Sequence, residues 1–290
     1  MTAWIIASIC FTFQAFRGVL DLRHLFHVTR WLKESGNVPA RKHGFRKTWY
    51  ILVPVFNEQR EIVQTIRSLL KLKDPAAFVY VVIITTEKEK IWDHGSHVTT
   101  GHVIRNALRE GIWGDDARRI LLFHDSNRYG SMASQLNVAA REIIRRDPAS
   151  NEHYFILYNA DSDPAPDTLR VVIAMANREE EKREIVFQQP CAFTKNAGMQ
   201  AKPFVNALSL FQTWFCLGHE IPLLQRYGNR LRKVGDGMLR EFFYSPLGYV
   251  VGHGSAMRFG TLLKHGGYPE HLLTEDLTFG YILSASRVPI

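Results

Sequence analysis

Tyr154-Phe155-Ile156-Leu157-Tyr158-Asn159-Ala160-Asp161-Ser162-Asp163-Pro164 runs from an apolar segment straight into an acidic turn. The segment Tyr154 to Leu157 is short, continuous and apolar, which reads as a buried strand. Two carboxylates at the mouth of such a strand repel each other and lose solvation. A divalent cation resolves that conflict, and hard oxygen ligands suit Mg²⁺ or Mn²⁺. A diphosphate is a natural further ligand of such a metal. The same residues also fit a plain Asp-rich turn before a helix, because Asp, Ser and Pro are turn formers. Taken alone, the stretch leaves both readings open.

Outward from it, the chain alternates between two periods. Apolar runs at Trp49–Val55, Phe78–Ile84, Arg119–Phe123, Tyr154–Asn159 and Glu184–Gln188 predict five strands. Helical spacing of apolar residues predicts helices over Glu58–Leu70, His102–Glu110, Ser134–Arg146 and Asp167–Asn177. Asn57 is the expected N-cap of the first, with Glu58 and Glu61 at the positive end of its dipole. Strands alternating with helices give an α/β fold with a mostly parallel sheet and helices on both faces. Ligands bind such sheets beyond the carboxyl ends of the strands. That places the chemistry at Pro54–Glu58, Thr85–Lys88, Asp125–Ser131, Asn159–Asp163 and Gln188–Cys191. After Pro203 the pattern becomes one long aromatic helix, Phe204–Tyr227, suited to a core or to a membrane interface.

The 290 residues are 46% hydrophobic with a net charge of +8, enough for a sizeable core and a basic surface. Residues 1–47 are set apart as a membrane-associated segment with a basic linker, ahead of a main domain over 48–290. Ala3 to Phe16 is apolar apart from Ser8, Thr12 and Gln14, and Arg17, Arg23, Arg30 and Lys33 follow it. That run is shorter than the roughly 20 residues a spanning helix needs. It suits an amphipathic or partly inserted helix beside anionic lipid on the cytoplasmic side. The end of a spanning helix and a soluble helix packed on the core are the alternatives. Cys10, Cys191 and Cys216 are odd in number and lie far apart in sequence, which points to a reducing compartment. Nucleic acid is not an expected partner, because the basic cluster adjoins an apolar segment rather than stacking aromatics.

There is no GxxxxGK[ST] and no GxGxxG after a strand, which argues against P-loop NTPases and dinucleotide oxidoreductases. A sugar nucleotidyltransferase would open with a glycine-rich basic loop, and Pro54-Val55-Phe56-Asn57-Glu58 is not one. Asp161–Asp167 is not an EF-hand, because the sixth loop position is Pro166 rather than Gly. Further on lie Gly252-His253-Gly254-Ser255-Ala256-Met257-Arg258-Phe259 and Gly266-Gly267-Tyr268-Pro269. Thr274-Glu275-Asp276 follows, where Thr274 is an expected N-cap with acids in the first turn.

In their order, PVFNE, NADSD, QQP, GHGSAMRF and GGYPEHLLTED resemble family 2 glycosyltransferases with the GT-A fold, notably the membrane-associated polysaccharide and glucan synthases. The resemblance covers residues 48–290. It implies inverting transfer from a nucleoside-diphosphate sugar to a saccharide or lipid-linked acceptor, assisted by Mg²⁺ or Mn²⁺. It implies that Pro54, Val55, Asn57 and Glu58 line the nucleotide pocket and that Glu87 stands where relatives read the nucleobase. It also implies that Asp161 holds the metal, with Asp163 or Asn159 as its companion according to the register of the motif. By the same resemblance Gln188 and Gln189 are expected near the sugars, and Gly252, His253, Gly254, Ser255 and Thr274 are expected to shape the acceptor pocket. The resemblance also implies that Asp276 is the general base, with Glu275 beside it. A Lys that relatives carry before Leu136-Asn137 is absent, and Arg128 is its candidate replacement. The Gln-x-x-Arg-Trp motif of processive relatives does not occur, so the expectation is a C-terminally cut chain or a compact relative. A nucleotide-sugar-binding subunit of a membrane synthase complex is the non-enzymatic alternative.

Overall fold

The computed structural model describes residues 2–35, 47–75, 77–92, 98–179, 184–194, 198, 202–233 and 248–290. Most of the expected basic linker lies outside the described residues. The strands are β1 (Lys47–Pro54), β2 (Ala77–Thr86), β3 (Ile120–Asp125), β4 (Tyr154–Leu157), β5 (Phe187–Gln188) and β6 (Ser255–Arg258). The helices are α1 (Thr2–Ser35), α2 (Ile62–Leu70), α3 (Lys88–Trp92), α4 (Thr100–Arg109), α5 (Met132–Arg146) and α6 (Thr168–Arg178). They continue with α7 (Pro203–Phe215), α8 (Ile221–Lys233), α9 (Phe259–Lys264) and α10 (Glu275–Ala285).

The chain divides into two compact units, one of residues 39–189 and 247–290, the other of residues 1–38 and 190–246. The first unit contains a single six-stranded sheet in the order β3-β2-β1-β4-β6-β5. β3, β2, β1 and β4 run parallel, while β6 is antiparallel to β4 and β5 antiparallel to β6. The mostly parallel α/β sheet matches the expectation. β6 is an addition, since its residues read as part of a glycine-punctuated turn.

Side chains alternate across a strand, so a strand covered on both faces must be apolar throughout. Trp49, Ile51 and Val53 of β1 enter one core with Ile62, Ile66 and Leu69 of α2, Ile104 of α4 and Leu169 and Ile173 of α6. Tyr50 and Leu52 enter the opposite core with Leu136, Ala140 and Ile143 of α5, Phe259 and Leu262 of α9 and Phe279 and Leu283 of α10. Helices on both faces are thus a consequence of the unbroken apolar runs. Arg119, before β3, donates to the carbonyls of Leu70, Leu72 and Val79 at 2.7, 2.9 and 2.9 Å. It satisfies acceptors that the C-terminal end of α2 would otherwise leave open.

In the second unit α1 packs against α8 and the turn before it. The expected single helix Phe204–Tyr227 is interrupted by a π-turn over Cys216–Glu220. Pro222 supplies the physical reason: it has no N–H for the carbonyl one turn back, and its ring crowds that carbonyl. The backbone N–H of Cys191 meets Cys216 Sγ at 3.3 Å, so two cysteines distant in sequence are close in space. Burial raises the Cys216 thiol pKa to about 12. Phe11, Phe13, Phe16, Val19 and Phe26 of α1 are all more than 60% exposed, as are Phe204 and Leu210 of α7. No helix among the described residues is long and apolar enough to cross a membrane.

Candidate active site

A cleft of about 410 Å³ opens at the carboxyl ends of β1, β2 and β4, in the sheet-bearing unit. Pro54, Val55, Phe56 and Glu58 line it after β1, Thr86 and Lys88 after β2, and Asn159, Ala160 and Asp161 after β4. Gly130, Ser131, Met132 and Gln135 contribute the N-terminal end of α5. That helix begins at its N-cap Ser131, whose side chain accepts from the Ser134 N–H. A helix N-terminus opening on a cleft favours an anion there.

The β1 loop is held from beneath by a group that the sequence does not advertise. Asn57 takes a positive φ of 60° and caps no helix. The helix starts only at Ile62, with Glu61 at the N-cap and no side-chain bond. Asn57 donates its N–H instead to Glu89 Oε1 at 2.8 Å. Glu89 is fully buried and also accepts from the Thr100 N–H at 2.8 Å and the Thr100 hydroxyl at 2.6 Å. Thr100 Oγ1 in turn accepts from the Glu58 N–H at 3.0 Å. A buried carboxylate is tolerable only when its oxygens are satisfied in this way. Glu89→Ala therefore strands three donors and is expected to cost about 1–3 kcal/mol. Urea unfolding reads that loss, and an unchanged midpoint would exclude the role.

Gln135 closes the floor between β1 and β2, donating to the carbonyls of Val55 at 3.0 Å and Ile84 at 2.6 Å. Thr65 of α2 donates to the Ala160 carbonyl and so ties the turn after β4 to that helix. Within the cleft, burial and then the negative charge of Asp161 raise the Glu58 pKa above the ordinary glutamate range. Ionised Glu58 therefore weakens the folded state as pH rises through its raised pKa. A bound cation would relieve that repulsion.

The other expected residues divide. Glu87 is turned toward Lys90 Nζ at 3.0 Å and His124 Nε2 at 3.1 Å and does not line the cleft. Asp163 is exposed and outside the lining, so of the two acids Asp161 is the one facing the cleft. Arg128 is likewise exposed and outside it, and the cation in the lining is Lys88. Gln188 holds the neighbouring loop: its Nε2 donates to the His253 carbonyl at 2.8 Å and its Oε1 accepts from the Val251 N–H at 2.9 Å. Gln189 Oε1 accepts from the Tyr158 hydroxyl at 2.8 Å, while its Nε2 is buried without a partner among the described residues. Gly254, at φ 68°, has a backbone that a Cβ would drive to 2.8 Å from Gln189 Cβ, so the position requires glycine. Ser255 is buried on β6.

Asp276 sits in the first turn of α10. Its Oδ2 accepts from the Gly252 N–H at 2.6 Å and its Oδ1 from the Leu277 N–H at 2.7 Å. Thr274 makes no side-chain cap, in contrast to the expectation; the Asp276 carboxylate accepts a first-turn N–H itself. A Cβ on Gly252 would lie 3.0 Å from Asp276 Oδ2 and 3.2 Å from Cε of Met132, a cleft residue. Gly252 thus lies beside both the Asp276 carboxylate and Met132, while Asp276 itself is not in the cleft lining. Asn137 of α5 fixes the approach to α10, accepting from the Tyr268 N–H at 2.9 Å and donating to its carbonyl at 2.8 Å. Glu275 is buried, and burial followed by the charge of Asp276 raises its pKa.

Among the described residues no group of three His, Cys, Asp or Glu side chains is placed to hold a metal by itself. One or two carboxylates with substrate phosphates complete the shell of Mg²⁺-type sites, so Asp161 with Glu58 nearby fits a metal carried in with a diphosphate.

No family model matches the sequence, and no curated protein matches it. Solved structures do. A mannosyltransferase of Pyrobaculum calidifontis, in complex with GDP-Man and Mn²⁺, has a TM-score of 0.50 and 16% identity. The match covers 94% of this chain and 61% of that one, so this chain spans less than two thirds of its length. Residues 1–349 of S. aureus TarS match with a TM-score of 0.46 and 16% identity, over 80% of this chain and 54% of that one. The fold is GT-A-like.

Proposed function

We propose that this chain is an inverting glycosyltransferase that moves a sugar from a nucleoside-diphosphate donor to an acceptor hydroxyl. What carries the reading is Asp161 and Glu58 in a single cleft on a GT-A-like sheet, with the Asp276 carboxylate held by the N–H of Gly252, a residue that a Cβ would bring against Met132 of the lining. The mannosyltransferase of similar fold was solved with GDP-Man and Mn²⁺, which supports a nucleotide-sugar donor and a divalent cation here.

In this reading Asp161 holds the cation, and the N-terminal end of α5 faces the diphosphate. The cation, when bound, offsets negative charge gathering on the diphosphate. Asp276 accepts the proton of the acceptor hydroxyl as that oxygen attacks the anomeric carbon, and the diphosphate leaves from the opposite side. Two backbone N–H bonds fix the Asp276 carboxylate, so orientation costs little at the moment of reaction. One displacement inverts the anomeric carbon. Release of free nucleoside diphosphate from a panel of donors with Mn²⁺, and proton NMR of the product anomer, tests this. A product of retained configuration, or donor binding with no transfer to any acceptor, would contradict it; the latter outcome favours the binding subunit.

We also propose attachment to the cytoplasmic face of a membrane through the second unit. The exposed phenylalanines of α1 and the basic residues Arg17, Arg23 and Arg30 suit the interface of an anionic bilayer. Flotation with phosphatidylserine vesicles is expected to carry the protein upward, less so in high salt. Protein that stays at the bottom with both anionic and neutral vesicles would remove this proposal.

A further inference from the structure

We infer that Cys191 and Cys216 are a redox modification site: under peroxide they join in a reversible disulfide that clasps the segment leaving β5 to the end of α7. The inference does not depend on the transferase reading.

The two residues stand 25 apart in sequence and both belong to the second unit. Both are thiols in the structure. Two backbone N–H groups lay the segment along one turn of helix. Cys191 donates to Cys216 Sγ at 3.3 Å, and Phe193 donates to Thr213 Oγ1 at 2.9 Å. Thr213 and Cys216 are three residues apart and share a helix face, so the paired bonds fix the register that sets Cys191 against Cys216. One N–Cα bond is about 1.46 Å, which puts Cys216 Sγ within about 4.8 Å of Cys191 Cα. In a disulfide the Cα atoms lie about 4.4–6.8 Å apart and the Cβ atoms about 3.5–4.5 Å. The approach is of that scale, and pairing calls for side-chain rotation rather than a change of register. Among the described residues no group of three His, Cys, Asp or Glu side chains gathers here, so the pair lacks the further ligands of a zinc site.

The two thiols take different parts. Cys191 is half-buried and meets solvent, whereas Cys216 is buried. Burial above all raises the Cys216 pKa, which keeps that thiol inert toward an oxidant in solution, and the N–H of Cys191 acts the other way. Hydrogen peroxide therefore reacts first at Cys191. The sulfur attacks one peroxide oxygen, the O–O bond breaks, and the departing hydroxide takes the thiol proton as water, leaving a sulfenic acid. Cys216 sulfur then attacks Cys191 sulfur. The S–O bond breaks, and the hydroxide leaves with the Cys216 proton as a second water. Two thiols are oxidised to one disulfide and one peroxide is reduced to two waters. In a reducing compartment, which the cysteine count leads us to expect, disulfides that do form are transient and redox-sensing. The bond also closes a long loop and so restricts the unfolded chain, which stabilises the folded unit.

The test is mass spectrometry of peptides from the full chain, prepared without reductant after treatment with hydrogen peroxide and quenching with iodoacetamide. The wild type is expected to give a linked pair of peptides carrying Cys191 and Cys216, separated again by dithiothreitol. Cys216→Ser should leave Cys191 as a sulfenic acid that dimedone traps. Cys191→Ser should leave Cys216 an unmodified thiol. The oxidised wild type should melt about 4 °C or more above the reduced protein, and neither variant should show that rise. Cys191 carried on to sulfinic acid beside an unlinked Cys216, links only between separate chains, or two thiols untouched by peroxide that oxidises Cys10 would each overturn the site. A linked protein that melts no higher than the reduced one overturns the clasp.

Discussion

Asp276→Asn is expected to slow sugar transfer by about 10²–10⁴-fold while donor affinity stays within a few-fold of wild type. The substitution keeps the shape of the side chain and removes its basicity. It also replaces one acceptor oxygen by an amide NH₂. The bond from Gly252 or the bond from Leu277 is therefore weakened, at about 1 kcal/mol of stability. Donor binding separates the two effects, since a collapsed loop would lose both binding and turnover. Glu275 is the poorer candidate for base, because its side chain is buried. Full turnover by Asp276→Asn, with loss in Glu275→Gln, would transfer the role to Glu275.

Asp161→Ala is expected to reduce transfer by on the order of 10³-fold or more, the scale of removing a principal electrostatic stabiliser. It should also abolish the dependence of donor binding on Mn²⁺. The fold should tolerate the change, because Asp161 is exposed at the cleft rather than part of either core. Removing its charge also relieves Glu58, whose raised pKa should fall toward the ordinary range. Transfer that continues at wild-type rate with Mn²⁺ chelated would contradict the assignment of a metal to Asp161.

Much of the sheet could be read from the chain because buried parallel strands leave a simple mark. Trp49–Val55 and Phe78–Ile84 are apolar on both faces, and both became central strands covered by helices. The acidic turn at Asn159–Asp161 was legible for a related reason, since a strand of known direction fixes where its carboxyl end opens. The failures have equally local causes. Asn57 looked like a cap, but its N–H answers to Glu89, 32 residues away, and no periodicity reports a contact of that span. Glu89 itself sits among Glu87, Lys88 and Lys90 and resembles a solvated charge run. Ser255–Arg258 read as part of a turn because glycines precede it, yet pairing with β4 and β5 makes it a strand. The break at Cys216–Glu220 has its signal in Pro222, whose ring and missing N–H disturb the helical turn before it.

The central claim is that this cleft binds a nucleoside-diphosphate sugar through a cation on Asp161. Calorimetric titration of the full chain with a panel of such donors, with Mn²⁺ and with chelator, tests it most directly when run beside Asp161→Ala. The account predicts that at least one donor binds the wild type only when Mn²⁺ is present, and that Asp161→Ala loses this binding while remaining folded. Donor binding indifferent to both the metal and the substitution, or no binding of any donor to the folded wild type, would contradict it.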